Sequence, residues 1–303
     1  MSAVLVVGES VLDIVESATG EVVAHAGGSP ANVAVGLARL GQQATLVTEL
    51  GPDEAGATML AHLAAADVTT VVAPSSRSTP TARAVLQPDG SAHYDFDIDW
   101  TLGALGPLAG DHVHTGSIAS HLEPGAAAVA DLLRTMAPHA TVSYDPNIRA
   151  ALLGDHAQVV ARTEAIVRLS HVVKASDEDL AWLYPGLGVE DALRGWAQAG
   201  PSLVVATMGA EGSLVCAGGQ VAKVAPVTVD VVDTVGAGDS YMAALLDGLL
   251  RDGILGVDGA ASLSQASAYR LMGAVERAAR AAAITVSRAG ANPPTAAELD
   301  HEG

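Results

Sequence analysis

The chain has 303 residues, of which 50% are hydrophobic but only 3% aromatic, and 34 acidic side chains face 15 basic ones for a formal net charge of −19. That length suits one large α/β domain or two ordinary ones, with a core built from Ala, Val and Leu. The acidic balance and the lack of a Lys/Arg cluster exclude a nucleic-acid groove, the single cysteine, Cys216, excludes an intrachain disulfide and a thiolate zinc site, and no stretch approaches the length of an apolar membrane span.

The first ten residues, MSAVLVVGES, lack the basic region and long apolar core of a signal peptide, so a reducing cytoplasm is the expected compartment. Val4 to Val7 reads as a buried strand. HAGGSPANVAVGLARLG then opens a helix, with Ser29 as expected cap, Pro30 in the first turn and Gly41 at the end. ATLVTELG is a second strand and DEAGATMLAHLAAAD a second helix. HVHTG, TVSYDPN, HVVKAS and SLVVATMG follow as strands, with helical segments between most of them. Such alternation implies a mostly parallel central sheet flanked by helices on both faces.

Two segments break this rhythm. DIVESATGEVVAH reads as two short strands around a TGE turn, and TARAVLQPDGSAHYDFDID as two strands around PDG. In the second, Tyr94, Phe96 and Ile98 alternate with Asp95, Asp97 and Asp99, the period of a strand with unlike faces. Hairpins of this kind fit a small β lid made from two insertions, at about 12–26 and 80–100, on a single domain spanning 1–303. Lids exclude water and order substrate on closing; a dimer contact would use the same sheet.

The densest chemistry lies at 233–240, DTVGAGDS, directly before the helical run YMAALLDGLL. Glycines let the backbone approach a ligand, and a helix N-terminus offers unpaired N–H donors and the positive end of a dipole. Together these make an anion cradle. Asp239 does not belong in a cradle whose only task is to hold an anion. It does belong beside a hydroxyl that must lose its proton on attacking a phosphoryl group. A weak base suffices there, because phosphoryl transfer has a loose transition state and the proton leaves late. On these eight residues alone, a capping aspartate among glycines fits equally well.

Other phosphate and nucleophile motifs are absent. A Walker loop needs GK[ST], and the only lysines, Lys174 and Lys223, do not follow glycine. GAGDSY is not a dinucleotide fingerprint, and no G-x-S-x-G elbow occurs.

DTVGAGDS closely resembles the C-terminal signature of the ribokinase/phosphofructokinase-B family of sugar kinases. GGSPANVAVGLARLG, some 200 residues earlier, resembles its N-terminal signature. The resemblance runs along nearly the whole chain. It implies a ribokinase-like fold with a β lid and transfer of phosphate from ATP, with Mg²⁺, to a sugar hydroxymethyl group. By the same resemblance Asp239 is the base and the amides of Gly236, Ala237 and Gly238 form the anion hole. Asp13, Gly27, Gly28 and Asn32 meet the sugar, with Tyr94 and Phe96 from the lid. Arg149, in YDPNIR at the carboxyl edge of the sheet, reaches the γ-phosphate or the substrate, and Arg83 of the lid reaches inward. On the nucleotide side, KASDED supplies Lys174, Ser176 and, for water-mediated Mg²⁺, Asp179 or Glu178. TMGAEG supplies Thr207, Gly209 and Gly212. The tail AAAITVSRAGANPP supplies Gly290 and Asn292 beside the adenine and a monovalent cation such as K⁺. A homodimer through the lid is a family expectation.

GES, HTGSIASHLEPG, DPNIR and KASDED together look most like bacterial fructokinases, which implies fructose as substrate and fructose 6-phosphate as product. The same segments are shared with 2-keto-3-deoxygluconate kinases, whose carboxylated substrate would pair with Arg83 or Arg149. Another ketose or ribose kinase, or a non-catalytic sugar or nucleotide sensor on the same fold, remains open at this level.

Overall fold

A computed structural model describes residues 2–17, 19–86, 92–103, 105–256 and 258–301, with residue 86 and residues 92–94 described by their backbone path alone. The first half of the chain forms β1 (Ala3–Val7), β2 (Val11–Glu16), β3 (Val22–Gly27), α1 (Ser29–Arg39), β4 (Gln43–Glu49), α2 (Glu54–Ala65), β5 (Thr69–Ala73), β6 (Thr81–Leu86), β7 (Ala92–Asp97), β8 (His112–Gly116), α3 (Gly125–Met136) and β9 (Thr141–Asp145). The second half forms α4 (His156–Val167), β10 (Val172–Ser176), α5 (Asp177–Leu183), α6 (Val189–Ala199), β11 (Leu203–Thr207), β12 (Ser213–Ala217), β13 (Gln220–Val224), α7 (Ala237–Arg251), α8 (Gly259–Ser264), α9 (Ala268–Val286) and α10 (Ala296–His301).

The strands make two sheets. The larger has the order β13-β12-β11-β10-β9-β8-β1-β4-β5. It is parallel from β5 to β11 and antiparallel only at β12 and β13. Its central strands are buried on both faces, as parallel sheets require. One face packs on α1, α7 and α9 through residues such as Val6, Leu37, Met242 and Val275. The other packs on α3 to α6 through Val113, Leu133, Ile166 and Trp196. The edge strand β5 and the β12–β13 hairpin complete a sheet whose central strands carry the expected apolar runs.

The smaller sheet has the order β3-β2-β6-β7 and joins the two expected hairpins side by side. Each hairpin is antiparallel internally, and β2 runs parallel to β6. Register decides which side chains share a face. Asp13 pairs with Ala82 and Ala82 with Phe96, whereas Ile14 pairs with Arg83 and Arg83 with Asp95. Side chains alternate along a strand, so Asp13, Ala82 and Phe96 share one face and Arg83 lies on the other.

The cap of α1 differs from expectation. Gly28, at φ 98°, occupies the N-cap with no side-chain capping bond, and Ser29 is the first helical residue. The Ser29 hydroxyl, one residue inside the helix, accepts no capping bond and donates to the Asp239 carboxylate. At the other end Gly41 has φ 88° and donates to the Ala38 carbonyl, the expected stop.

Candidate active site

The N-terminus of α7 is the hub of the site. Gly236 caps it in the left-handed region at φ 74°, and no side chain caps the helix. A side chain at Gly236 would also be obstructed, since a Cβ there would lie 2.6 Å from Ala291 Cβ. The Ala237 N–H turns back to the Thr234 carbonyl at 3.3 Å, a bond of weak geometry. The first turn of α7 therefore presents backbone N–H groups without a side-chain cap, an arrangement that can receive an anion.

Asp239, in the first turn of α7, is 8% exposed. Its carboxylate accepts from Ser29 Oγ at 2.6 Å and from Asn32 Nδ2 at 2.8 Å. Both donors sit on the first turn of α1, so the expected sugar residue Asn32 also orients the expected base. Asp13 lies across the cleft on β2. Burial raises its carboxyl above the ordinary range, opposed by His25 and Arg149. Gly27 makes room for it: a Cβ at Gly27 would fall 2.2 Å from Asp13 Oδ2. That close approach explains the first glycine of GGSPAN.

Three cavities converge on this hub. One of about 350 Å³ is lined by Asp13, Asn32, Phe96, Arg149 and Asp239 among others. A second of about 450 Å³ carries Arg149, Lys174, Ser176, Glu178 and Asp179. The third, of about 520 Å³, runs between Thr207, Gly209 and Gly212 on one side and Val286 of α9 on the other. Thr234 and Gly238 line all three. The first cavity has the polar, convergent character of a polyol site, and the third has the apolar walls of a base-binding slot.

Behind Gly238 lies a buried ion pair. Lys174 Nζ is 2.9 Å from Asp145 Oδ2, with side chains 4% and 1% exposed. A Cβ on Gly238 would be 3.0 Å from Lys174 Nζ. Burial alone would lower the Lys174 pKa, but Asp145, with Asp179 and Asp239, holds it above the usual lysine value. Burial pushes the Asp145 carboxyl up to about 6 against the pull of Lys174, and Asp179 and Asp239 push the same way. The lysine thus places a positive charge behind Gly238 in the first turn of α7.

Asp179 is mostly committed to its own helix. It forms a capping box with Ser176, accepting from Ser176 N at 2.9 Å and, through its other oxygen, from Ile148 N at 2.7 Å. Glu178 is exposed and lines the same cavity. Among the described residues no group of three or more His, Cys, Asp or Glu side chains could hold a metal directly. This donor set fits a cation held through water and phosphate, with Glu178 as the freer carboxylate.

Several expected residues lie elsewhere. Arg83 faces away from the cleft and pairs with Glu16 at 2.5 Å, because the β2–β6 register puts residue 82, not 83, on the cleft side. Gly290 and Asn292 line none of the three cavities. Gly290 N donates to Asp233, and Asn292 accepts from Arg39 at 2.5 Å. Gly290 thus fastens the segment that leads into α7, and Asn292 ties the C-terminal segment to the end of α1. The side chain of Tyr94 lies outside the described residues. Ser29 is expected from the sequence only as a helix cap, and Asp145, Asn147 and Glu9 are not among the expected site residues. Asn147, at φ 37°, lines both the first and second cavities, and Glu9 lines the first.

The description "pfkB family carbohydrate kinase" matches residues 1–298. The chain is 34% identical over 276 residues to a fructokinase of Rhizobium leguminosarum bv. trifolii, covering 86% of this chain and 84% of that one. It is 32% identical to a fructokinase of Escherichia coli over the whole of both chains. A crystal structure of fructokinase from Vibrio cholerae O395, with fructose, ADP and calcium ion bound, superposes with a TM-score of 0.82 at 27% identity, covering 99% of this chain and 98% of that one.

Proposed function

Because this chain belongs to the pfkB family of carbohydrate kinases, we propose that it phosphorylates fructose at its 6-hydroxyl with ATP. The observation that carries this reading is the meeting of three cavities at Thr234 and Gly238, with Asp239 poised on one side. The sugar occupies the cavity of Asp13 and Asn32, adenine the slot beyond Thr207, and the phosphates run between them over the first turn of α7. The fructokinase of V. cholerae binds fructose and ADP with calcium, which supports the same pair of ligands here.

Each residue has a task in this scheme. Asp13 accepts hydrogen bonds from sugar hydroxyls. Ser29 and Asn32 hold the Asp239 carboxylate towards the acceptor hydroxyl, whose proton it takes as the phosphoryl group arrives. The amides of Gly236 and Gly238, with the Lys174 charge behind them, stabilise the charge on the transferred group. Arg149 lines both the sugar and the phosphate cavities and pairs with the phosphoryl oxygens. Mg²⁺, held through water by Glu178, would offset the negative charge of the phosphates. The surroundings of the sugar cavity favour a neutral polyol over a sugar acid. Glu9, Asp13 and Asp239 face it, opposed by Arg149 and by Lys174, which is already paired with Asp145, and Arg83 is turned away.

The test is ADP release from the purified chain with a panel of fructose, ribose, other ketoses and 2-keto-3-deoxygluconate. Fructose is expected to give the highest kcat/KM. Preference for the sugar acid would overturn the substrate, and binding of sugars without ADP release would point to a sensor.

A further inference from the structure

Glu9 is a fully buried carboxylate, 1% exposed, just beyond the end of β1. It has no part in the mechanism above, yet it lines the cavity that holds Asp13 and Asp239. Its Oε2 accepts from Ala119 N at 2.9 Å, and the Ser117 side chain is a second hydrogen-bond partner. Those partners lie in the 3₁₀ turn Ser117–Ser120 that follows β8. Ser117 is held in the left-handed region at φ 54°, a conformation a serine keeps only when its surroundings enforce it. Ser117 and Ile118 both line the cavity. On the other side, the Glu9 carbonyl lies where a Cβ on Gly28 would meet it at 2.7 Å, so the residue also packs against the entry to α1.

We propose that Glu9 is a positioning residue for the sugar site, tying the strained Ser117–Ala119 turn to the end of β1 so that the cavity floor and the base of β2 keep one geometry. The proposal rests on reading this cavity as the sugar site. Glu9 does not touch the reacting atoms. It links two loops that hold the sugar from different sides, so its loss loosens sugar binding and leaves the nucleotide slot unchanged. Ionisation matters because an ionised carboxylate accepts on both oxygens, whereas a protonated one gives up part of that capacity. Burial pushes Glu9 up to about 7, opposed by its bonds to Ser117 and Ala119 and by Arg149. The other charged groups lining the cavity are Asp13 on β2, Lys174 on β10 and Asp239 on α7. Titration at the site is therefore read by comparing the variant with wild type.

The test is steady-state kinetics of wild type and Glu9→Gln against fructose and against ATP, from pH 5.5 to 8.5. At pH 8 the variant should raise the KM for fructose about tenfold, the loss of one hydrogen bond to a charged group, and leave the KM for ATP within about twofold. The fructose KM of wild type should rise more steeply than that of Glu9→Gln as pH falls below 7. A variant with unchanged fructose KM at pH 8 would overturn the proposal, as would parallel pH profiles. Failure of the sugar-site reading is distinguishable, because then Asp13→Ala would also leave the fructose KM of wild type unchanged.

Discussion

Ser29 Oγ donates to Asp239 Oδ1 at 2.6 Å across a sequence separation of 210 residues. The two family signatures therefore meet at a single carboxylate, with Asn32 supplying the second bond at 2.8 Å. Two donors on one rigid helical turn leave Asp239 little choice of orientation, which is what a base needs. Asp239→Asn should lower kcat by about 10²–10⁴, with fructose binding by calorimetry retained. Ser29→Ala should cost about tenfold or less, since Asn32 still orients the group. Near-normal turnover in Asp239→Asn would remove the carboxylate from the mechanism.

Gly27 tests the sugar side. A methyl group there would collide with Asp13 Oδ2, 2.2 Å from the built position. The carboxylate must then swing out of place. Gly27→Ala should raise the fructose KM at least about tenfold, the equivalent of one charge-assisted hydrogen bond, with little change in the ATP KM. A variant that raised both constants equally would show that the collision distorts the hub instead.

The Lys174–Asp145 pair, 2.9 Å apart and almost wholly buried, separates catalysis from stability. Lys174→Met leaves an unpaired buried carboxylate and should destabilise the fold by about 3–5 kcal/mol. Adding Asp145→Leu removes that charge and should recover most of the stability. Turnover should not recover, because the positive charge behind Gly238 is still missing. Denaturant titration and kcat on the three proteins distinguish these outcomes. Recovery of both would make the pair purely structural.

The parts of this site that are legible in the sequence are those forced by close approach. Gly27 and Gly236 stand where any side chain would strike Asp13 or Ala291, and such positions leave a glycine pattern that can be read. The alternation of apolar runs and helices likewise predicts a parallel sheet, because its central strands are buried on both faces. Glu9, Asp145 and Asn147 carry no comparable mark. They reach the site only because strand ends align in space, as when Gly116 lies beside Asp145. Arg83 illustrates the same limit. Its face depends on a parallel register between two insertions far apart in sequence, and a one-residue slip would have turned it inward. Ser29 was legible as a polar residue at a helix start, but its acceptor lies on another helix.

Arg149 and Arg83 offer a direct contrast. Arg149 lines both the cavity of Asp13 and Asp239 and that of Glu178 and Asp179, whereas Arg83 pairs with Glu16 on the opposite face of the small sheet. Arg149→Ala should reduce kcat/KM by about 10²-fold, as for other groups that stabilise transferred charge. Arg83→Ala should stay within about twofold, since an exposed ion pair contributes about 1 kcal/mol at most. If Arg83→Ala instead gave the larger loss, the small sheet would have to re-register or close differently during turnover.

The burial of Glu9 predicts a pH dependence of stability with a definite sign. Its carboxyl is raised from 4.5 to about 7 by burial, so the folded chain binds this proton more tightly than the unfolded chain does. The associated stability is complete below pH 4.5 and is lost as pH rises to about 7. The distance between those values, at about 1.4 kcal/mol per pH unit, amounts to about 3 kcal/mol. Glu9→Gln cannot titrate and lacks this loss. Measured by urea titration at pH 5, 6, 7 and 8, the difference in stability should move steadily in favour of the variant as pH rises, whatever the variant costs in hydrogen bonding at pH 5. Most of the change should fall between pH 5 and 7, and little beyond. A difference that stayed constant across the series, or moved in favour of wild type, would show that Glu9 titrates as an ordinary carboxylate and is solvated in the folded protein.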